Sequence, residues 1–135
     1  MIAENINIII ADDNETFLEV LKLILAKNKK YNIIETCYNG EELLECKMLH
    51  KADLILCDIE MPVFDGIEAT RRINFNYPKL PVIALTMHIE KIYLTDIIMA
   101  GFKGFIYKPE IKDKIHEVIE EVLNDNFIFP DNLKY

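Results

Sequence analysis

The sequence lacks any apolar run of the roughly 18 residues that a membrane-spanning helix needs, so no membrane partner is expected. Its start, Met1 to Asn7, has neither the basic residues nor the long apolar stretch of a secretory signal, which points to a cytoplasmic protein. Positive charge is scarce: 15 Lys and Arg face 23 Asp and Glu, for a net charge of −8. Phosphate contacts need clustered Lys and Arg, so direct nucleic-acid binding by this chain is not expected. The longest basic cluster, Lys27 to Lys30, is short and reads as a solvated helix end. The three cysteines, Cys37, Cys46 and Cys57, are odd in number and form no C-x-x-C, which fits buried thiols in a reducing compartment. His50, His88 and His116 follow no zinc-ligand spacing, so no transition-metal site is read. There is no internal repeat, no low-complexity stretch and no linker before residue 125.

The chain does have enough apolar material for one core: 51% hydrophobic residues in a length of 135 suits a single domain. Ile6 to Ile10 is rich in β-branched residues and predicts a buried strand, followed by a helix over about Asn14 to Asn28 with Phe17, Val20, Leu21, Ile24 and Leu25 as its apolar stripe. Tyr31 to Tyr38 predicts a second strand, and Asn39-Gly40 and two glutamates start a helix running to about His50. A third strand covers Leu54 to Cys57. A loop with Met61-Pro62 and Asp65-Gly66 leads to a helix over Ile67 to Phe75. Val82 to Leu85 is the fourth strand, with a helix over Glu90 to Ala100 that Gly101 is placed to stop. Phe105 to Tyr107 is the fifth strand, and Lys112 to Asn124 the last helix. This (βα)5 alternation implies an α/β fold, a doubly wound parallel five-stranded sheet covered on both faces.

Four of the five strands end on polar residues: Asp12-Asp13, Asp58, Thr86 and Lys108. In an open parallel sheet all carboxyl ends share one edge, where ligands bind. Three carboxylates held there repel one another, and one ammonium does not neutralise them. A hard divalent cation with oxygen ligands does, and a carboxylate beside it can act as a nucleophile toward phosphorus. Taken singly, each residue has a plainer reading: the Asp pair as a helix cap, Thr86 as a cap, Lys108-Pro109 as a turn. Their occurrence together at successive strand ends favours a site.

The run Asp58-Ile59-Glu60-Met61-Pro62-Val63-Phe64-Asp65-Gly66-Ile67-Glu68-Ala69-Thr70-Arg71, with the acidic pair, Thr86 and Lys108-Pro109 in order, resembles the receiver domain of two-component response regulators. The resemblance covers about Asn5 to Asp125 and implies the flavodoxin-like strand order 2-1-3-4-5, with a receiver domain over 4–125 and a tail or linker start over 126–135. It implies Asp58 as phosphoacceptor, and Asp12, Asp13, Asp58 and the Glu60 carbonyl as ligands of Mg2+ or Mn2+. Thr86 resembles the switch hydroxyl, Lys108 the lysine that pairs with the phosphoryl group, and Phe105 the switch aromatic, though Phe105 also reads as core packing. A cis Lys108–Pro109 bond is implied as well. Glu60 and His88 fall at positions that flank the phosphoryl group in the family; for His88 a solvated surface reads equally well.

Thr86-Met87-His88, Gly101-Phe102-Lys103-Gly104-Phe105 and Phe127-Ile128-Phe129-Pro130 resemble the subfamily with a LuxR-type helix-turn-helix output domain. What this implies is phosphorelay signalling that controls transcription through an output domain, with a sensor histidine kinase as partner, a homodimer as a further candidate partner, and no enzyme activity beyond the chain's own phosphorylation and dephosphorylation. The expectation is a receiver taken from a longer regulator, the alternative being a single-domain protein. The coupled surface would be the fourth helix, fifth strand and fifth helix. The fourth helix is broadly apolar (Ile92, Tyr93, Leu94, Ile97, Ile98, Met99), as core or as a partner face, and Leu18 and Leu23 look spare on the first.

Three rival readings differ from this one at named residues. A magnesium-dependent phosphatase with an Asp nucleophile would carry Asp-x-Asp after the first strand and usually a cap domain, whereas the chain reads Asp12-Asp13-Asn14-Glu15 and has no room for a cap. A flavodoxin-like cofactor binder would need a Ser/Thr/Gly-rich loop at the same place. A receiver that never takes phosphate would act only as a binding module, against which the full acidic and lysine set counts.

Overall fold

Stretches rich in isoleucine, valine and leucine form the strands, and each is followed by a helix. A computed structural model describes residues 5–134; the expected domain start at residue 4 and the tail's end at Tyr135 lie outside them. The strands are β1 (Ile6–Ala11), β2 (Tyr31–Cys37), β3 (Leu54–Asp58), β4 (Val82–Thr86) and β5 (Gly104–Tyr107). The helices are α1 (Glu15–Ala26), α2 (Gly40–Leu44), α3 (Gly66–Asn76), α4 (Leu94–Ala100) and α5 (Ile111–Leu123). All strand pairs are parallel, in the order β2-β1-β3-β4-β5. The expected fold is the one observed.

Strand alternation divides the core into two layers. Ile8, Ile10, Leu54, Leu56, Ile83, Leu85 and Ile106 face α1 and α5. Ile9, Ala11, Ile55, Cys57, Val82, Ala84 and Phe105 face α2, α3 and α4. A strand buried on both faces needs apolar residues at every position, which is why β1, β3 and β4 read as continuous runs.

Helix limits differ from the sequence expectations in informative places. The fourth helix does not begin at Glu90. Ile89–Lys91 makes a 3-10 turn, and Ile92 and Tyr93 are extended, which drives the Ile92 side chain into the core before α4 starts at Leu94. The second helix stops at Leu44 rather than near His50; a separate 3-10 turn, Leu49–Lys51, re-aims the chain to bury Leu49. On α1, Leu18 is core and Val20 is exposed, the reverse of the expected stripe, while Leu23 is exposed as expected. On α4, Ile97 is buried, and Ile98 and Met99 face outward. Gly101 ends α4 in the left-handed conformation, φ 98°.

The Lys108–Pro109 bond is trans, contrary to the family expectation. Pro109 sits at the start of a 3-10 turn, Lys108–Glu110, where its missing N–H costs no hydrogen bond.

Beyond α5 the chain folds back along the outer edge of β5. The Ile128 N–H donates to the Lys103 carbonyl (3.1 Å), and Ile128 bridges Gly104. Lys134 bridges Tyr93, with the Leu94 N–H donating to the Lys134 carbonyl at 2.6 Å. Leu133 is buried and Phe129 packs against the same core layer as Phe105. Among the described residues no helix is long and apolar enough to cross a membrane.

Candidate functional site

The parallel sheet delivers its polar strand ends to one edge. β1 ends at Ala11, and Asp12 follows, fully buried, with Asp13 exposed beside it. The helix cap at this junction is Asn14, not the acidic pair: its side-chain oxygen accepts from the Phe17 N–H at 2.9 Å. The Asn14 N–H in turn donates to Asp12 Oδ1 at 2.9 Å. The cap is therefore met without Asp13, whose carboxylate is left for other work.

Asp58 closes β3 and is 4% exposed. Its Oδ1 accepts from the Glu60 N–H at 3.2 Å. The following loop curls back beneath it, with the Gly66 N–H donating to the Ile59 carbonyl at 2.7 Å. Only glycine fits at 66, because a Cβ there would lie 2.1 Å from the Asp58 carbonyl oxygen. Asp65 caps α3 by accepting from the Glu68 N–H at 2.9 Å. The Asp-Gly pair thus fixes the loop that carries Glu60.

Lys108 follows β5 and is 5% exposed. Its Nζ lies 2.7 Å from Asp12 Oδ2 and 3.5 Å from Asp58 Oδ2. The Asp12 contact is a buried ion pair, and no other donor reaches Asp12 Oδ2 among the described residues. Nζ also sits 4.4 Å from the centre of the Phe17 ring. Thr86 ends β4, fully buried, and its hydroxyl accepts from the His88 N–H at 3.0 Å. Phe105 is buried.

Ligand oxygens of Asp12, Asp13 and Asp58 all lie within 4.8 Å of one another. A cleft of about 160 Å³ opens above them, lined by Asp13, Asn14, Asp58, Glu60, Met87, His88 and Lys108. Sequence reasoning placed every one of these but Asn14 and Met87. Asn14 was expected only as a helix start, and Met87 carries no chemical signal. Phe17 was read as core, and nothing in its spacing pairs it with Lys108.

The electrostatics are those of an acidic site short of positive charge. Burial and the Asp12 carboxylate push the Asp58 carboxyl up to about 7, against the pull of Lys108 and the Glu60 N–H. Three converging carboxylates, two of them buried, and a single ammonium fit a hard divalent cation with oxygen ligands. The two buried thiols, Cys37 and Cys57, offer no competing chemistry. Burial raises Cys37 to about 12 and Cys57 higher still, so neither supplies a thiolate.

Comparison with known proteins agrees with this arrangement. The model of the response regulator receiver domain matches residues 8–120. The chain is 33% identical over 117 residues to the transcriptional regulatory protein DegU of Brevibacillus brevis, covering 87% of this chain and 50% of that protein. It is equally identical, 33% over 117 residues, to the chemotaxis protein CheY of Bacillus subtilis, of which it covers 97%. Among solved structures, a LuxR-family response regulator from Aurantimonas superposes with a TM-score of 0.85 at 20% identity, covering 96% of this chain and 92% of that one. CheY in a CheX-CheY-BeF3-Mg complex from Borrelia burgdorferi superposes at 0.77 with 29% identity, covering 87% and 88%. The chain spans about half the length of the transcriptional regulators it matches. With the strand order, the acidic strand ends and the match over residues 8–120 all in agreement, the chain belongs to the response regulator receiver domain family.

Proposed function

We propose that this chain accepts a phosphoryl group on Asp58 and so switches a regulatory surface. The observation that carries the reading is the convergence of the Asp12, Asp13 and Asp58 carboxylates, their ligand oxygens within 4.8 Å of one another, on the single ammonium of Lys108. Asp12, Asp13, Asp58 and the Glu60 carbonyl would hold Mg2+ or Mn2+. Bound there, the cation would offset the carboxylate charge and the charge on the transferring phosphoryl oxygens.

The chain's own residues supply the rest. An Asp58 oxygen forms the new bond to phosphorus as the bond to the donor's leaving group breaks. Lys108, 3.5 Å from Asp58 Oδ2, faces the oxygens that carry the added charge. The Thr86 hydroxyl now accepts from His88, which leaves its own proton free to donate to a phosphoryl oxygen once Thr86 turns inward. Phe105 shares a core layer with the Ile92 and Leu133 side chains, so its movement would carry the change to α4 and β5. The phosphoryl group biases an equilibrium that the α4–β5 region already has. The donor is a sensor histidine kinase or a small phosphoryl compound, and no turnover of an external substrate is involved. In a longer regulator the output would be control of transcription through a LuxR-type helix-turn-helix domain, and a homodimer is a further partner state.

The test is acetyl phosphate labelling read as intact mass. One phosphoryl group is expected with magnesium and none with EDTA. A magnesium-loaded chain that stays unlabelled by acetyl phosphate and by phosphoramidate would contradict the proposal. Glu60 lines the cleft mouth, and its carboxylate would repel phosphoryl oxygens or orient water. Glu60→Ala is therefore expected to change the decay rate of the labelled form several-fold; equal half-lives for variant and parent would remove that role.

A further inference from the structure

We infer that Phe17 is a positioning residue for the Lys108 ammonium, holding it against Asp58 through the face of its ring; this rests on the phosphoacceptor reading above. The Lys108 side chain is almost wholly removed from water. Its Nζ lies 2.7 Å from Asp12 Oδ2, 3.5 Å from Asp58 Oδ2 and 4.4 Å from the Phe17 ring centre. The ring's negative face attracts a cation, more strongly where water is excluded. Leucine would fill a similar volume without that attraction.

The ring is not loosely placed. Phe17 stands in the first turn of α1, half-buried, with its N–H bound by the Asn14 side chain at 2.9 Å. Asn14 is in turn bound to Asp12 Oδ1 at 2.9 Å. Asp12 pairs with Lys108 through its other oxygen. Asp12, Asn14, Phe17 and Lys108 therefore close a ring of contacts that ties the entry of α1 to the end of β5. Sequence distance hides this, since residues 12–17 and 108 meet only through the sheet topology.

The consequence concerns the chemical step. An ammonium fixed beside Asp58 meets developing phosphoryl charge without first having to reorient. Without the ring, the two carboxylates alone set the place of Nζ, and Asp12, the nearer at 2.7 Å against 3.5 Å, pulls harder. The ammonium would be drawn away from Asp58 and would have to be recovered at each phosphorylation.

The test compares Phe17→Leu and Phe17→Tyr with the parent, using acetyl phosphate and magnesium. At saturating donor, Phe17→Leu is expected to label about five-fold more slowly, equivalent to ~1 kcal/mol. Magnesium affinity by calorimetry should stay near the parent's, Phe17→Leu should lose a few degrees of melting temperature with the ring's contacts, and Phe17→Tyr should restore both the rate and the melting temperature. Proton NMR gives a readout independent of phosphorylation. The Lys108 Cε protons should be shifted upfield by the ring in the parent and Phe17→Tyr, and return to ordinary values in Phe17→Leu. Parent-like labelling by Phe17→Leu, or Leu and Tyr variants slowed equally in step with lost stability, overturns the positioning role. An unlabelled parent that still shows the upfield Lys108 protons would instead sink the phosphoacceptor reading and leave the Lys108–Phe17 placement standing.

Discussion

At Asp58 burial and the Asp12 carboxylate both work against the ionised form, and one lysine only partly offsets them. The sign of the effect on stability follows. The folded carboxyl titrates near 7 against an ordinary 3.8, so the folded state holds a proton that the unfolded state has released between those values. The stabilisation is fully present below about 3.8 and is lost as pH rises through about 7. Metal-free protein should therefore lose stability from pH 4 toward pH 8. Asp58→Asn, which has no charge to bury, should be more stable than the parent at pH 8 by roughly 2–4 kcal/mol and much flatter across that range. Urea denaturation at several pH values in EDTA measures this; parallel pH curves for variant and parent would rule it out. That Asp12, Asp58 and Lys108 come together was legible in the sequence because strand ends in a parallel sheet must converge. The ring of Phe17 over Lys108 was not, because an apolar residue at helical spacing looks the same whether it meets the core or a cation.

Among the elements, the strands were the most legible. Ile8 to Ile10, Leu54 to Cys57 and Val82 to Leu85 are buried on both faces, so each position reports the same environment. Helix ends were less so. α4 starts four residues later than its apolar pattern suggests, because burying Ile92 requires extended backbone at Ile92 and Tyr93. The segment after α5, too short for a second domain, is expected as a tail or linker start, yet it lies along β5, buries Leu133 and packs Phe129 against the layer that holds Phe105. An exposed strand edge offers unpaired backbone groups, and this segment covers part of that edge. Deleting residues 127–135 should lower stability by about 2–4 kcal/mol, the worth of burying Leu133 and part of Phe129. The denaturation midpoint checks this; an unchanged midpoint would mean that the segment does not hold its place on β5 and α4.

For the whole molecule, the strand order β2-β1-β3-β4-β5 sets β1, β3, β4 and β5 side by side, with their carboxyl ends on one edge. Neighbouring strands are about 4.8 Å apart, so residues from 12 to 108 fall within a few ångströms without any loop having to reach for them. The central strands β1, β3 and β4 are apolar for most of their length; the buried polar residues at the strand ends, Asp12, Asp58, Thr86 and Lys108, form the candidate site. That is why the strand ends carried so much of the functional reading, and why surfaces such as the exposed Ile98 and Met99 on α4 carried so little. The central claim is that Asp58 is the acceptor. It is tested most directly by labelling the parent, Asp58→Ala and Asp13→Ala with acetyl phosphate and magnesium, followed by peptide mapping of the phosphoryl group. One adduct is expected on the parent, mapped to the peptide containing Asp58, none on Asp58→Ala, and slower labelling of Asp13→Ala that higher magnesium partly restores. An adduct that persists on Asp58→Ala at the parent's level would contradict it.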